Sequence, residues 1–212
     1  MAAIDLTSSI ELSEWKVILK SKKQLVLLIT GFVVLLITFA LNFFTSTWVD
    51  TIATNSVGDL LLDVIPVFEI NFLFFWAVLI FWLVAVAYHF YKPKQLAFIL
   101  WGMAAFVVLR CFFISLTHIG PPESAINIPE SLSWFNFSSD MFFSGHVGGP
   151  FFVALLVRNR LVKRVIIGYS IIMMVIVLMA HGHYSIDLFA AFFIAHSLSV
   201  LVKKTEKHFY SV

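Results

Sequence analysis

Two short motifs combine histidine with hydroxyl or carboxylate groups, and each lies where an apolar stretch meets a polar boundary. The first contains Ser144, Gly145 and His146, and the second runs from His183 to Asp187. Because Asp187 follows His183 by four residues, the two side chains share one face of a helix and can hydrogen-bond. A carboxylate on one imidazole nitrogen fixes the tautomer and leaves the other nitrogen as a base or nucleophile. The motifs therefore predict a phosphate-handling site.

The start of the helix predicted after Ser144 adds donors for an anion. Free backbone N–H groups at a helix start, together with Ser144 and Gly145, form a cradle for phosphate. Gly145 also permits close approach of the backbone. We expect in-line phosphoryl transfer in which one histidine attacks phosphorus and another protonates the leaving oxygen. This chemistry requires neither a metal nor another cofactor.

The elements that position these motifs must cross a membrane. The 212-residue chain is 61% hydrophobic and 12% charged, with a mean hydropathy of +0.98, which excludes an ordinary soluble domain. A bilayer core needs roughly 20 residues of helix, and the alternation typical of a β-barrel is missing. The sequence predicts an all-α membrane protein with six transmembrane helices. The apolar stretches are 24–49, 70–91, 95 to about 118, 141–157, 165–182 and 188–202.

Two polar segments flank this bundle. Residues 1–23 are predicted to form a cytosolic interfacial amphipathic segment, in which Ser8 and Glu11 match a capping box; a frayed polar leader is the alternative. Residues 24–202 form the predicted catalytic domain, and residues 203–212 a basic cytosolic tail. The net charge is only +2, and the basic residues are not clustered with exposed aromatic side chains, which argues against nucleic acid as a partner. The expected partners are therefore the bilayer and its lipids.

The distribution of charge predicts the orientation. Thirteen of the fourteen Lys and Arg residues fall on one side of the predicted bundle, in residues 16–23, 92–94, 158–164 and 203–207. By the positive-inside rule this side is cytosolic, and both termini lie there. Eight of the twelve acids fall on the other side. Both motifs are therefore expected to face the exoplasmic side, whether periplasm, lumen or cell exterior.

The fourteenth cation, Arg110, lies inside the outer end of the third predicted helix. An unpaired guanidinium at that depth would cost several kcal/mol, so an anionic partner is expected. A phosphate clamp is favoured because the planar fork of arginine matches phosphate oxygens. The alternative is a salt bridge, for which the sequence offers Asp63, Glu69 and Asp187.

Other side chains on the outer side are predicted to contact a lipid head group or to assist the reaction. They are Asp59, His118, Glu123, Asp140 and Tyr184. The acids, with Trp134 and Phe137, suit a cationic head group such as choline or ethanolamine. For His118 a contact with solvent is an equal alternative, and His181 is expected to be interfacial.

The order from Asp140 to His146, followed by residues 183–187, resembles the two signature motifs of the sphingomyelin synthases. These enzymes are a branch of the type 2 phosphatidic acid phosphatase superfamily of six-helix lipid enzymes. Residues 110–117 are similar to the end of that family's third helix, and the resemblance covers about residues 55–202. It implies that His183 is a nucleophile forming a phosphohistidine, that Asp187 orients it, and that His146 protonates the leaving alcohol. Residues 179–182 depart from the broader superfamily, in agreement with the synthase branch.

The leading functional prediction is a phosphotransferase that moves a head-group phosphate between lipids. The donor is a diester such as phosphatidylcholine or phosphatidylethanolamine, because Arg110 alone matches one negative charge, and the acceptor is the hydroxyl of ceramide or diacylglycerol. A lipid phosphatase or phospholipase C-like hydrolase using the same residues is an alternative, and a non-catalytic lipid-binding or transport protein is another. An intramembrane serine protease is disfavoured because Ser144 lacks a Gly-x-Ser-Gly context.

Overall fold

The computed structural model describes residues 14–125 and 140–210, and within these ranges the chain is helical without a β-strand. Residues 14–20 form a short first helix. The helices that follow are α1 (Lys22–Ile52), α2 (Asn71–Tyr91), α3 (Leu96–Leu116), α4 (Gly145–Leu156), α5 (Arg160–Met179), α6 (Ser185–Lys203) and α7 (Glu206–Tyr210). A 3-10 turn, Pro93–Gln95, precedes α3. The predicted all-α class is confirmed for these ranges.

Five of the helices, α1, α2, α3, α5 and α6, are long and apolar enough to cross a membrane. The helix in the region predicted to span 141–157 is shorter than expected. It is α4, whose 12 residues span about 18 Å, whereas the hydrocarbon core of a bilayer is about 30 Å thick. The first four residues of that apolar stretch are not helical. A multi-pass membrane protein is thus indicated, with five spans of sufficient length in the described residues rather than six.

Helices α3 and α4 lie at the centre of the bundle. Helix α1 packs along α3, and α4 packs against α5, α6 and α3. Phe106 of α3 stacks on Phe152 of α4, with ring centres 5.4 Å apart. A Cβ atom at Gly148 would lie 3.1 Å from the Phe106 ring and 3.3 Å from Cβ of Ala191 on α6, so this crossing needs glycine. The close packing brings the start of α4 next to the start of α6.

Contacts at one end of the bundle attach the first described residues to the end of α2 and to α7. Trp15 Nε1 donates to the Phe90 carbonyl at 3.0 Å, and Gln24 Nε2 donates to the Phe209 carbonyl at 2.6 Å. We call this end the basic end; it comprises residues 14–24, 90–95, 157–160 and 203–210. We call the opposite end the acidic end; its described loops are residues 53–70, 117–125, 140–144 and 180–184.

Candidate active site

His183 and Asp187 lie together at the start of α6. The His183 Nδ1 atom is 3.5 Å from Asp187 Oδ2, which is longer than an ordinary hydrogen bond. Both residues are buried, with 5% and 2% of their surfaces exposed. The same carboxylate oxygen accepts a hydrogen bond of 3.2 Å from the Tyr184 backbone N–H. Asp187 therefore caps its own helix while its carboxylate lies beside the imidazole.

His146 brings the first motif to the same place. Its side chain is half-buried in the first turn of α4, and its ring centre is 6.3 Å from that of His183. The ring of Phe74 on α2 packs edge-on against it, with the centres 4.8 Å apart. The Ser144 backbone N–H donates to the Asp187 carbonyl at 3.3 Å, which ties the start of α4 to that of α6. Two motifs 37 residues apart thus meet at the acidic end.

Ser144 contributes a buried hydroxyl without a partner. It is the N-cap residue of α4, but its side chain makes no capping hydrogen bond. In the described ranges four buried side-chain atoms lack a hydrogen-bond partner, and two of them, Ser144 Oγ and His183 Nδ1, belong to this site. Burying such a group unpaired costs about 1–3 kcal/mol. The site therefore holds unused hydrogen-bonding capacity that a ligand can satisfy.

Arg110 is anchored by four hydrogen bonds. Its Nε donates to the Phe143 carbonyl at 3.1 Å, and one terminal nitrogen donates to Asn42 Oδ1 at 3.0 Å. The other terminal nitrogen donates to the carbonyl and to the carboxylate Oδ2 of Asp140, both at 2.9 Å. Only 7% of Arg110 is exposed. These bonds fix the irregular backbone of residues 140–143, which explains why α4 begins late.

The ion-pair partner of Arg110 differs from the sequence-based alternatives. The sequence offered Asp63, Glu69 and Asp187, whereas the partner is Asp140. The positions of the two residues in the sequence did not indicate this pairing, because they are 30 residues apart. Asp140 reaches Arg110 only because the 140–143 segment folds back over α3. A Cβ atom at Gly145 would lie 3.1 Å from Arg110 Nε, so the guanidinium packs directly under the helix start. Its role as a phosphate clamp stays a prediction.

Two polar residues of α1 complete this network, and sequence analysis did not single them out. Asn42 accepts from Arg110, and Ser46 Oγ donates to Asp140 Oδ2 at 3.1 Å. They are four residues apart and therefore share one face of α1. Polar side chains at this spacing inside an apolar span are the signal that points to a buried polar partner.

Asp59 fastens a loop to α6. Its Oδ2 accepts from the Ser185 backbone N–H at 2.6 Å, and its Oδ1 accepts from the N–H groups of Leu61 at 2.9 Å and Leu62 at 3.2 Å. Burial raises the pKa of Asp59, but these hydrogen bonds, led by the one from Ser185, outweigh it and hold the pKa below its usual value of 3.8. Asp59 is thus a second carboxylate at the start of α6.

Tyr184 ties three loops together. Its hydroxyl donates to the Gly120 carbonyl at 2.9 Å and accepts from the Val57 N–H at 3.1 Å. The side chain is 2% exposed. These contacts give Tyr184 a positioning role next to His183, and its predicted contact with a head group stays untested.

The remaining accessory residues in the described part of the chain lie in the loops of the acidic end. His118 is exposed, with its ring edge-on to Trp48, and its Nε2 is 3.1 Å from the Ser115 carbonyl. Glu123 accepts from Ser56 Oγ at 3.0 Å. Trp134 and Phe137 lie outside the described residues, as do Ser8 and Glu11. His181, expected to be interfacial, is instead 2% exposed.

The described residues, 14–125 and 140–210, contain no group of three His, Cys, Asp or Glu side chains that could hold a metal ion. The arrangement offers two imidazoles, a carboxylate, an unpaired hydroxyl and a helix start, which together suit transfer of an anionic group. No protein-family model, no curated protein and no solved structure matches this chain.

Proposed function

We propose that this protein is a membrane lipid phosphotransferase that moves a phospho-head group from a phospholipid diester to a lipid hydroxyl. The observation that carries the proposal is the meeting of His146 with the His183–Asp187 pair at one end of an apolar bundle. The two ring centres are 6.3 Å apart, so both imidazoles lie within reach of a single phosphoryl group.

In the proposed reaction, a nitrogen of His183 attacks the donor phosphorus. The P–N bond forms, the bond from phosphorus to the diacylglycerol oxygen breaks, and His146 gives its proton to that oxygen. Asp187 stabilises the positive charge that develops on His183. The acceptor hydroxyl then attacks the phosphohistidine, returns a proton to His146, and frees His183.

The charge of the site favours a substrate with one negative charge. The guanidinium of Arg110 is balanced by the carboxylate of Asp140 at 2.9 Å, so the pair adds no net charge. A phosphomonoester near −2 would need further cations, whereas a diester carries only about −1, part of which the positive start of the α4 dipole can offset. This argument supports phosphatidylcholine or phosphatidylethanolamine as donor and ceramide or diacylglycerol as acceptor.

The test is a panel of defined phospholipids presented to the purified protein in detergent, with and without ceramide or diacylglycerol. Both products are identified by mass spectrometry. We expect a zwitterionic donor to lose its phospho-head group only when a lipid acceptor is present. Release of a water-soluble phospho-head group without acceptor would indicate a phospholipase C-like hydrolase, and faster release of phosphate from phosphatidic acid would indicate a lipid phosphatase.

A matched pair of histidine variants, one just before the start of α6 and one within α6, controls this experiment. His183→Ala is expected to lose at least about 1,000-fold in turnover, because the nucleophile is removed. His196→Ala changes an exposed histidine inside α6 and is expected to keep full activity. Intact lipid handling in His183→Ala would instead favour a non-catalytic lipid-binding or transport protein.

The proposal includes the orientation of the bundle, with the acidic end on the exoplasmic side and both termini in the cytosol. It is supported by the thirteen cations on the opposite side. Thr54→Cys and Thr205→Cys place single exposed thiols at the acidic and basic ends, and the one native cysteine, Cys111, is buried. In intact cells a membrane-impermeant maleimide should label position 54 alone. Labelling of position 205 alone would indicate the opposite orientation of the bundle.

A further inference from the structure

His181 is a second oriented imidazole at the acidic end. Its Nε2 lies 3.0 Å from the Ile65 carbonyl, and its Nδ1 is hydrogen-bonded to Ser124 Oγ. Since a carbonyl can only accept, Nε2 carries the ring proton, and Nδ1 of the neutral ring accepts from the Ser124 hydroxyl. A hydroxyl that donates to a base, with the base fixed by a third group, is the arrangement of an activated nucleophile.

The backbone of His181 adopts a conformation that disfavours a side chain. Helix α5 ends in a Schellman motif, in which the His181 N–H donates to Leu178 O at 3.1 Å and the Gly182 N–H to Val177 O at 3.0 Å. His181 occupies the left-handed position of this motif, with φ of 50°. An L-residue there costs about 1–2 kcal/mol relative to glycine. Because the protein keeps a histidine at a position that favours glycine, the imidazole itself is inferred to have a function.

Ser124 is accessible to a substrate, whereas His181 is not. Ser124 is exposed and His181 is 2% exposed. Ser124 lines an open cavity of about 390 Å³ at the acidic end. The other lining residues are Ser56, Val57, Gly58, Asp59, Leu62, Asp63, Pro122 and Glu123. Among the described residues this lining holds three carboxylates and no basic side chain, so it favours positively charged molecules over anions.

We propose that Ser124 is the nucleophile of a second site, activated by His181, which cleaves small esters that carry a positive charge. Ser124 Oγ attacks the ester carbonyl and forms a C–O bond, while its proton moves to His181 Nδ1. The bond to the alcohol oxygen breaks, and the alcohol leaves with that proton. Water then attacks the acyl-serine, gives a proton to His181, and releases the carboxylic acid and the regenerated Ser124 hydroxyl.

The nucleophile and base of this site differ from those assigned to lipid transfer, although Asp59 and Glu123 of the cavity lining are also among the predicted head-group residues. The cavity lining does not include His146 or His183. It borders the start of α6 through Val57, which donates to the Tyr184 hydroxyl, and through Asp59, which accepts from Ser185. The two nucleophiles therefore use different histidines, and loss of one activity leaves the other to be measured.

A fluorophosphonate probe tests the nucleophile directly in the full-length protein in detergent. The Ser124 oxygen replaces fluoride on the probe, and the labelled residue is located by peptide mass spectrometry. We expect label on Ser124 in the wild type and none at that position in Ser124→Ala. Ser56→Ala is the matched control, because Ser56 lines the same cavity but donates to Glu123 rather than to a histidine; it should keep the label.

The His181→Gly variant tests the base without straining the fold, since glycine suits φ of 50°. We expect labelling of Ser124 to slow by about 100-fold while the thermal unfolding temperature is retained. His183→Ala should label like the wild type. Hydrolysis of a cationic 4-nitrophenyl ester should exceed that of an anionic ester of equal size and should depend on Ser124. An unlabelled Ser124, equal labelling of Ser56, or undiminished labelling in His181→Gly would overturn the proposal.

Discussion

The two ends of the bundle each carry an arginine–carboxylate pair of the same length in different surroundings. Arg110 and Asp140 are 2.9 Å apart at the acidic end, with side chains 8% and 14% exposed. Arg158 and Glu206 are also 2.9 Å apart at the basic end, with side chains 56% and 28% exposed. Distance alone does not distinguish the pairs, whereas solvent access does.

The buried pair also makes more contacts with the surrounding structure than the exposed pair. Arg110 binds the backbone of residues 140–143 and a side chain of α1, and this segment leads directly into the helix start beside His146. Arg158 contacts Glu206 and lies over the Tyr210 ring, 3.8 Å from its centre, which anchors α7. One pair shapes the predicted active site, and the other secures a surface helix.

Breaking the buried pair should have the largest effect on stability. Arg110→Met leaves the Asp140 carboxylate without its cationic partner, with only the Ser46 hydroxyl still donating to it, and we expect about 3–5 kcal/mol less unfolding free energy, with loss of phosphotransfer. The measurement is denaturant unfolding in detergent, beside lipid turnover. A change below about 1 kcal/mol would show that the pair behaves like a surface pair.

Replacing both partners of the buried pair distinguishes its effect on the stability of the protein from its effect on the geometry of the predicted active site. In the Arg110→Met, Asp140→Leu double variant neither charge of this pair is left, and we expect most of the lost unfolding free energy to return. Phosphotransfer should stay low, because the 140–143 backbone no longer receives hydrogen bonds from α3. Recovery of both quantities would mean that the pair does not position the site.

Tyr184 should show an intermediate effect. Tyr184→Phe leaves the Gly120 carbonyl and the Val57 N–H without their shared hydroxyl, at a cost of about 1–3 kcal/mol. Turnover should fall as well, since the neighbouring His183 loses a fixed loop. Tyr169→Phe is the control, because its hydroxyl donates to the Ala77 carbonyl within the bundle. If Tyr169→Phe lowered turnover as much, the effect would not be local.

Asp59 should make a contribution that depends on pH. Its pKa is lower in the folded protein than in the unfolded chain, so it stabilises the fold above about pH 4 and loses that contribution as pH falls below it. Asp59→Asn should therefore unfold at a lower temperature than the wild type at pH 6, and the difference should narrow towards pH 3. A constant difference across this range would contradict the assignment.

The exposed pair should show the smallest effect. Arg158→Met is expected to change unfolding free energy by at most about 1 kcal/mol and to leave turnover unchanged. The same measurements as for Arg110→Met apply. A loss as large as that of the buried pair would remove the contrast between the two ends.

The sequence predicted the elements that periodicity and local spacing determine. Helices α1, α2 and α3 begin and end within a few residues of the apolar stretches, and the side chains of His183 and Asp187 meet because they are one turn apart. The late start of α4 was not predictable in this way, because it depends on hydrogen bonds from Arg110 to residues distant in sequence. The contributions of Asn42 and Ser46 were hidden for the same reason, since they require α1 to pack along α3.

The central claim is that His183 carries the phospho-head group as a covalent intermediate between donor and acceptor. Rapid quench of the protein with a donor phospholipid labelled in its phosphate, followed by peptide mass spectrometry at neutral and acid pH, tests it most directly. We expect an acid-labile phospho-head group on His183 that forms and decays as fast as the enzyme turns over, and that Asp187→Asn diminishes. Full turnover with no phosphorus on His183 at any time would contradict the covalent mechanism.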